Sequence, residues 1–188
     1  MRHIVSSARI AVAASLLLAF TALSCNTAPQ ISTPGATLLI QRLVGLNAAG
    51  VESDVLEIEV GSSIPPDAAG VATVVNPAGE ETADHVVILS RYRVTWIRDD
   101  GKARVGLDVP YPFDATLDAV VGPSAVVPIR MRLVRAIAFT EPPLVQLAQG
   151  NETVDLRGTL VVTLFGRDLS GTSVSVTGRI PVHVFHRG

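Results

Sequence analysis

Residues 86–98, VVILSRYRVTWIR, alternate with a period of two. The even positions read Val86, Ile88, Ser90, Tyr92, Val94 and Trp96, while the odd ones, Val87, Leu89, Arg91, Arg93, Thr95 and Ile97, turn polar halfway along. That repeat places successive side chains on opposite faces of an extended chain, so the segment is a strand with an apolar even face. Asp100-Gly101 follows with the positive-φ positions of a tight turn, which predicts that the chain folds straight back as a hairpin. Tyr92, Trp96, Tyr111 and Phe113 all lie between Val86 and Phe113, and only three further aromatic rings occur beyond the first 25 residues. This stretch is therefore expected to be the central strand of a β-sandwich and its return.

Other strand signals obey the same rule. Thr37–Leu46 and Asp54–Val60 read as the first two strands, with Val55, Ile58 and Val60 supplying apolar bulk and Glu57 and Glu59 sharing one face. Val71–Val75, Asp114–Val121 and Ala125–Arg132 come next, and residues 156–185 close the chain as a long hairpin turning at Gly171. Pro110 and Pro112 put Val105–Phe113 at a sheet edge or in a crossing between sheets, because proline removes a ladder donor. In residues 132–140 the periodicity fits strand or helix equally. Turn signals every 8–12 residues and seven to nine strands in total predict an all-β sandwich over residues 37–188. At 188 residues the chain is long enough to bury a sizeable core.

The N-terminus has a different character. Arg2 and Arg9 precede an uncharged run, Ile10–Ser24, that is too short to span a hydrocarbon core of about 30 Å comfortably. A basic start, a short apolar run and small residues at its end describe an export signal over residues 1–24. The tetrad Ala22-Leu23-Ser24-Cys25 resembles the lipobox of bacterial lipoproteins, departing from it at Ala22. The resemblance implies cleavage before Cys25 and acyl chains on its sulfur. Cys25 is the only cysteine of the chain. The alternative is an ordinary secretory leader cut near Ser24. Residues 25–36 then form a solvated tether, small, polar and proline-bearing.

Two stretches, RYRVTWIRDDGKARVGLDVPYPF and TLFGRDLSGTSVSVTGRIPVHV, resemble bacterial exported lipoproteins of uncharacterised role with an immunoglobulin-like domain. That resemblance implies an immunoglobulin-like antiparallel β-sandwich in the cell envelope and no catalytic residues. Asn26 after the cysteine favours the outer membrane, facing the periplasm; secretion is the alternative address.

Charge and motifs limit the chemistry. Setting aside Arg2 and Arg9 leaves 13 of the 15 basic residues against 17 acidic ones, a net of −4, so nucleic acid has no basic footprint to bind. No phosphate loop, G-x-S-x-G elbow, H-E-x-x-H or C-x-x-C occurs, and no cofactor or metal is expected. His183 and His186 differ by three positions and point to opposite faces of a strand, and His85 would have to come from elsewhere. The acids Glu80, Glu81 and Asp84 lack the spacing of a calcium loop and read as solvated charge. Asp99, Asp108 and Asp114 could supply the paired carboxylates of a hydrolase only by converging in a cleft. Tyr92 and Trp96 would make an aromatic recognition platform if their face looked outward, although alternation with Val94 assigns them to the core. Arg91 and Arg93 share the other face and could pair with acids on a neighbouring strand, and Arg130 and Arg132 could extend an arginine patch. The expectation is a lipid-anchored envelope module that binds or scaffolds a protein or glycan without catalysis. The alternative is a carrier of a small apolar ligand held between the sheets.

Overall fold

The computed structural model describes residues 36–61, 65–77, 85–149 and 155–186. The chain divides into Met1–Thr33 and Pro34–Gly188, and all of the described residues belong to the second unit. The leader, Cys25, the tether up to residue 35 and the acids Glu80, Glu81 and Asp84 lie outside the described residues.

Nine strands are formed: β1 (Leu39–Leu46), β2 (Glu52–Ser53), β3 (Leu56–Val60), β4 (Ala68–Val75), β5 (Val87–Arg98), β6 (Phe113–Val121), β7 (Val126–Val134), β8 (Leu156–Asp168) and β9 (Ser173–His186). They build a four-stranded sheet, β2-β1-β4-β7, and a five-stranded sheet, β3-β9-β8-β5-β6. All pairings are antiparallel except β3 with β9. With β1, β4 and β7 on one sheet and β9, β8, β5 and β6 in order on the other, this is the arrangement of an immunoglobulin-like sandwich. The middle strand of the five is β8 and not β5 as expected; β5 lies between β8 and β6, and its Trp96 is buried at 8% exposure. Residues 132–140 resolve into the end of β7 and a 3₁₀ turn at Ala136–Thr140, followed by a one-turn helix, α1 (Leu144–Ala148).

The interior is one continuous cluster. Val94, Trp96, Leu160, Val162 and Leu164 of the five-stranded sheet join Ala72, Val74, Ile129, Met131 and Leu133 of the other, with Phe139 and Leu144 added from the segment after β7. Each fully buried aliphatic side chain contributes about 1.5–3 kcal/mol. The long β8–β9 hairpin keeps its alternation, with Leu160, Leu164, Ile180, Val182 and Val184 inside and Thr163 and Thr177 bonded through their hydroxyls outside at 3.0 Å.

Three further expectations are corrected. First, the inward parity of β5 changes midway: Val87 and Leu89 are buried and Ile88 is exposed, whereas Tyr92, Val94 and Trp96 are buried beyond it. Ser90 is an extra residue between the pairs Leu89↔Gly166 and Arg91↔Phe165, and such a bulge switches which face the following residues take. Second, Gly101 does take a positive φ of 76° in a turn closed onto Arg98, yet the return strand begins only at Phe113. Residues 102–112 form a loop that is neither an edge strand nor a crossing between sheets, since β5 and β6 belong to one sheet, with a single bridge between Val105 and Val109. Third, Leu56 and not Val55 starts the buried face of β3.

Candidate functional site

The sandwich has two ends. At one, which we call proximal, the described chain begins at Ala36, whose backbone N–H reaches the carboxylate of Asp168 at the β8–β9 turn. At the other, distal end, β5 runs out at Arg98 into the loop of residues 99–112. A strand the length of β5 separates them by about 35 Å.

Tyr92 and Trp96 do not form an outward platform, since they are 4% and 8% exposed. Tyr92 instead ties the sheets together: its hydroxyl oxygen accepts the backbone N–H of Arg132 on β7 at 3.1 Å, and its ring meets Phe113 edge-on. Burial pushes the Tyr92 hydroxyl above its ordinary pKa, although the N–H of Arg132 pulls the other way. Arg91 and Arg93 lie on the outer face and converge on Asp114 of β6, as their spacing allows. Arg93 holds that carboxylate through both Nε and Nη2, and this hydrogen bonding keeps Asp114 below the usual carboxylate range. Arg130 and Arg132 stand on the outer face of the other sheet, where Arg132 pairs with Asp67, so the four arginines form no single patch.

Of the candidate acids, Asp99 and Asp108 share the loop of residues 99–112 and Asp114 stands on β6. Asp108 is bonded by Arg104, which depresses its pKa, and Asp114 is bonded by Arg93. A general acid needs the opposite shift. Asp99 begins the distal loop. Glu57 and Glu59 stay on the solvent face of β3. His183 bonds Asp155 at 2.8 Å, and the main-chain oxygen of His85 accepts the side-chain amide of Asn76. Among the described residues no group of three or more His, Cys, Asp or Glu could hold a metal ion, and no helix is long and apolar enough to cross a membrane.

The feature that the pattern of residues concealed is a knuckle at the tip of the distal loop, Arg104–Val109. The carbonyl oxygen of Arg104 accepts the N–H groups of Leu107, Asp108 and Val109, and the N–H of Gly106 reaches the carbonyl of Val109 at 2.8 Å. Gly106 adopts φ = 74°, and Tyr111 packs so closely on it that a Cβ would collide with the ring. The Asp108 carboxylate takes the backbone N–H, Nε and Nη2 of Arg104, while its main-chain oxygen accepts from Arg98. Val109 plugs into the core at 3% exposure. This bracing displays apolar side chains to solvent: Val105 is 52% exposed, Leu107 49% and Tyr111 50%. The signal was present as R-V-G-L-D, an arginine and an aspartate four apart around a glycine, but the two prolines behind it favoured a sheet edge or a crossing. A second missed residue is Asn76, fully buried at the proximal end, whose amide and backbone join the end of β4 to His85 and to the β6–β7 turn.

No protein-family model matches the chain, and no curated protein matches it. Among solved structures it is similar to the crystal structure of the periplasmic chaperone SfaE, with 11% identity and a TM-score of 0.30 over 72% of this chain. The match covers 56% of the chaperone chain, little more than half of its length.

Proposed function

We propose that the chain is a lipid-anchored, non-catalytic binding module of the bacterial envelope that docks a protein partner through the knuckle at its distal end. The observation that carries this reading is the knuckle itself. A braced loop loses little conformational entropy on binding, and exposed Val105 and Leu107 beside Tyr111 are the side-chain types that fill an apolar socket in a partner. A bilayer is the poorer acceptor. Arg98, Lys102 and Arg104 are balanced by Asp99, Asp100 and Asp108, so the loop has no basic surplus to draw it to anionic lipid. It also lies about 35 Å from Ala36, where the chain arriving from Cys25 joins the sandwich.

Acyl chains on Cys25 would hold the proximal end at the outer membrane and turn the knuckle into the periplasm. Changing Cys25→Ala should release the protein from membranes and remove the lipid mass. Retention at the membrane with an unchanged mass would end the anchored reading. The apolar-carrier alternative requires a chamber between the sheets, in the space where side chains of both sheets form one buried cluster.

A further inference from the structure

At the proximal end, a groove of about 570 Å³ opens on the outer face of the five-stranded sheet. It originates in the β5 bulge, which turns both Ser90 and Arg91 outward. Gly166 permits the close approach, since a Cβ there would run into the carbonyl oxygen of Ile88. Bulges of this kind re-aim side chains beside functional sites. Here the guanidinium of Arg91 is set over the Phe165 ring, 4.3 Å from its centroid, with Asp114 bonded on its far side at 3.2 Å. Arg167 and Ser173 face one another across β8 and β9, and Ser175 stands opposite Phe165 in the next row. The guanidinium of Arg167 and the hydroxyls of Ser90, Ser173 and Ser175 make no side-chain hydrogen bond among the described residues, and all four residues are exposed. The groove lining has one acid, Asp168, whose carboxylate is buried and held by the β8–β9 turn. Its residue is 4% exposed, and its carboxylate accepts from the hydroxyl of Ser170 at 2.6 Å and the N–H of Thr172 at 2.8 Å.

We propose that this groove binds a phosphate mono- or diester. Two guanidinium groups and three hydroxyls offer more donors than a carboxylate can accept, and a planar arginine fork matches phosphate oxygens. Arg91 shares its charge with Asp114, whereas Arg167 has no acidic partner among the described residues and is the cation left for an anion. The group can belong to a phospholipid headgroup, for which the position beside Ala36 is suited, or to a free phosphorylated compound. This site is separate from the knuckle and does not depend on the docking role proposed for it.

The test uses the full chain carrying Cys25→Ala, so that acyl chains do not themselves bring it to vesicles. Calorimetric titration with inorganic phosphate and with glycerol 3-phosphate reads the free ligand. Sedimentation with phosphatidylcholine vesicles, with and without phosphatidylglycerol, reads the headgroup. Saturable binding in either arm should weaken about tenfold or more in Arg167→Ala. It should be unchanged in Arg179→Ala, an exposed arginine of β9 outside the groove. Binding to vesicles alone assigns the headgroup, and binding to soluble phosphate alone assigns the free compound. Absence of binding in both arms, or equal loss in the Arg167 and Arg179 variants, overturns the proposal.

Discussion

At the proximal end of the sandwich, beside exposed Ile88, Val120 and Leu169, a set of polar groups is unspent: Arg167, Ser90, Ser173 and Ser175 face solvent without side-chain partners among the described residues. At the distal end the reverse holds. Most polar groups of residues 98–109 are used inside the loop, in the Arg104–Asp108 and Arg98–Asp100 pairs and in the three N–H groups on one carbonyl, and the side chains displayed at its tip, Val105 and Leu107, are aliphatic. One end therefore offers donors to an anion, and the other offers apolar area to a socket. Both depend on a glycine and on a departure from regular strand: the β5 bulge opposite Gly166, and the positive φ of Gly106. The belt between them is ordinary sandwich, and its task is to hold the two ends apart.

The largest difference is expected between belt and knuckle. Trp96→Ala should cost about 3–5 kcal/mol of stability by chemical denaturation, because it empties a buried indole site. Val105→Asp combined with Leu107→Asp should stay within about 0.5 kcal/mol of the parent protein, since both side chains are half-exposed, yet abolish partner capture. A destabilised double variant would make the knuckle part of the core and not a docking element.

Tyr92→Phe should come next, at about 1–2 kcal/mol, because the N–H of Arg132 loses its acceptor between the sheets. This residue also sets an alkaline limit. Its folded pKa lies above the unfolded one, so its contribution is complete below about pH 10 and is lost as pH rises through the folded value. Denaturation midpoints measured up to about pH 11 should fall for the parent protein and flatten for Tyr92→Phe.

The smallest effect compares the two ends directly. Asp168 at the proximal end, held by Ser170, and Asp108 at the distal end, held by Arg104, both have folded pKa values below the ordinary 3.8. Their contributions are present above that value and lost as pH falls through the folded one, so stability should decline below about pH 4. Asp168→Asn and Asp108→Asn should each flatten this acid limb, and only the second should disturb partner capture.

Much of the architecture was legible because alternation reports burial directly. The β8–β9 hairpin follows from parity together with the turn glycine Gly171, and parity also put Arg91 and Arg93 on one outer face, where both meet Asp114. Parity failed at Ser90, where one inserted residue exchanged the roles of Ile88 and Leu89. Nothing local distinguishes a serine in a bulge from a serine on a regular strand; the cause sits across the sheet at Gly166, on a strand 76 residues later in the chain. The knuckle was hidden for a related reason. Val105, Leu107 and Val109 alternate as a strand would, but the hydrogen bonds that curl them belong to Arg104 and Asp108. Only Val109 of the three reaches the core.

The docking role of the distal end is tested most directly by placing a photoreactive amino acid at Leu107 in the full chain in its native envelope, with Arg179 as the matched exposed control. The account predicts one defined protein adduct from position 107, absent from position 179 and lost when Val105→Asp is added. No adduct from position 107, or the same adducts from both positions, would contradict it.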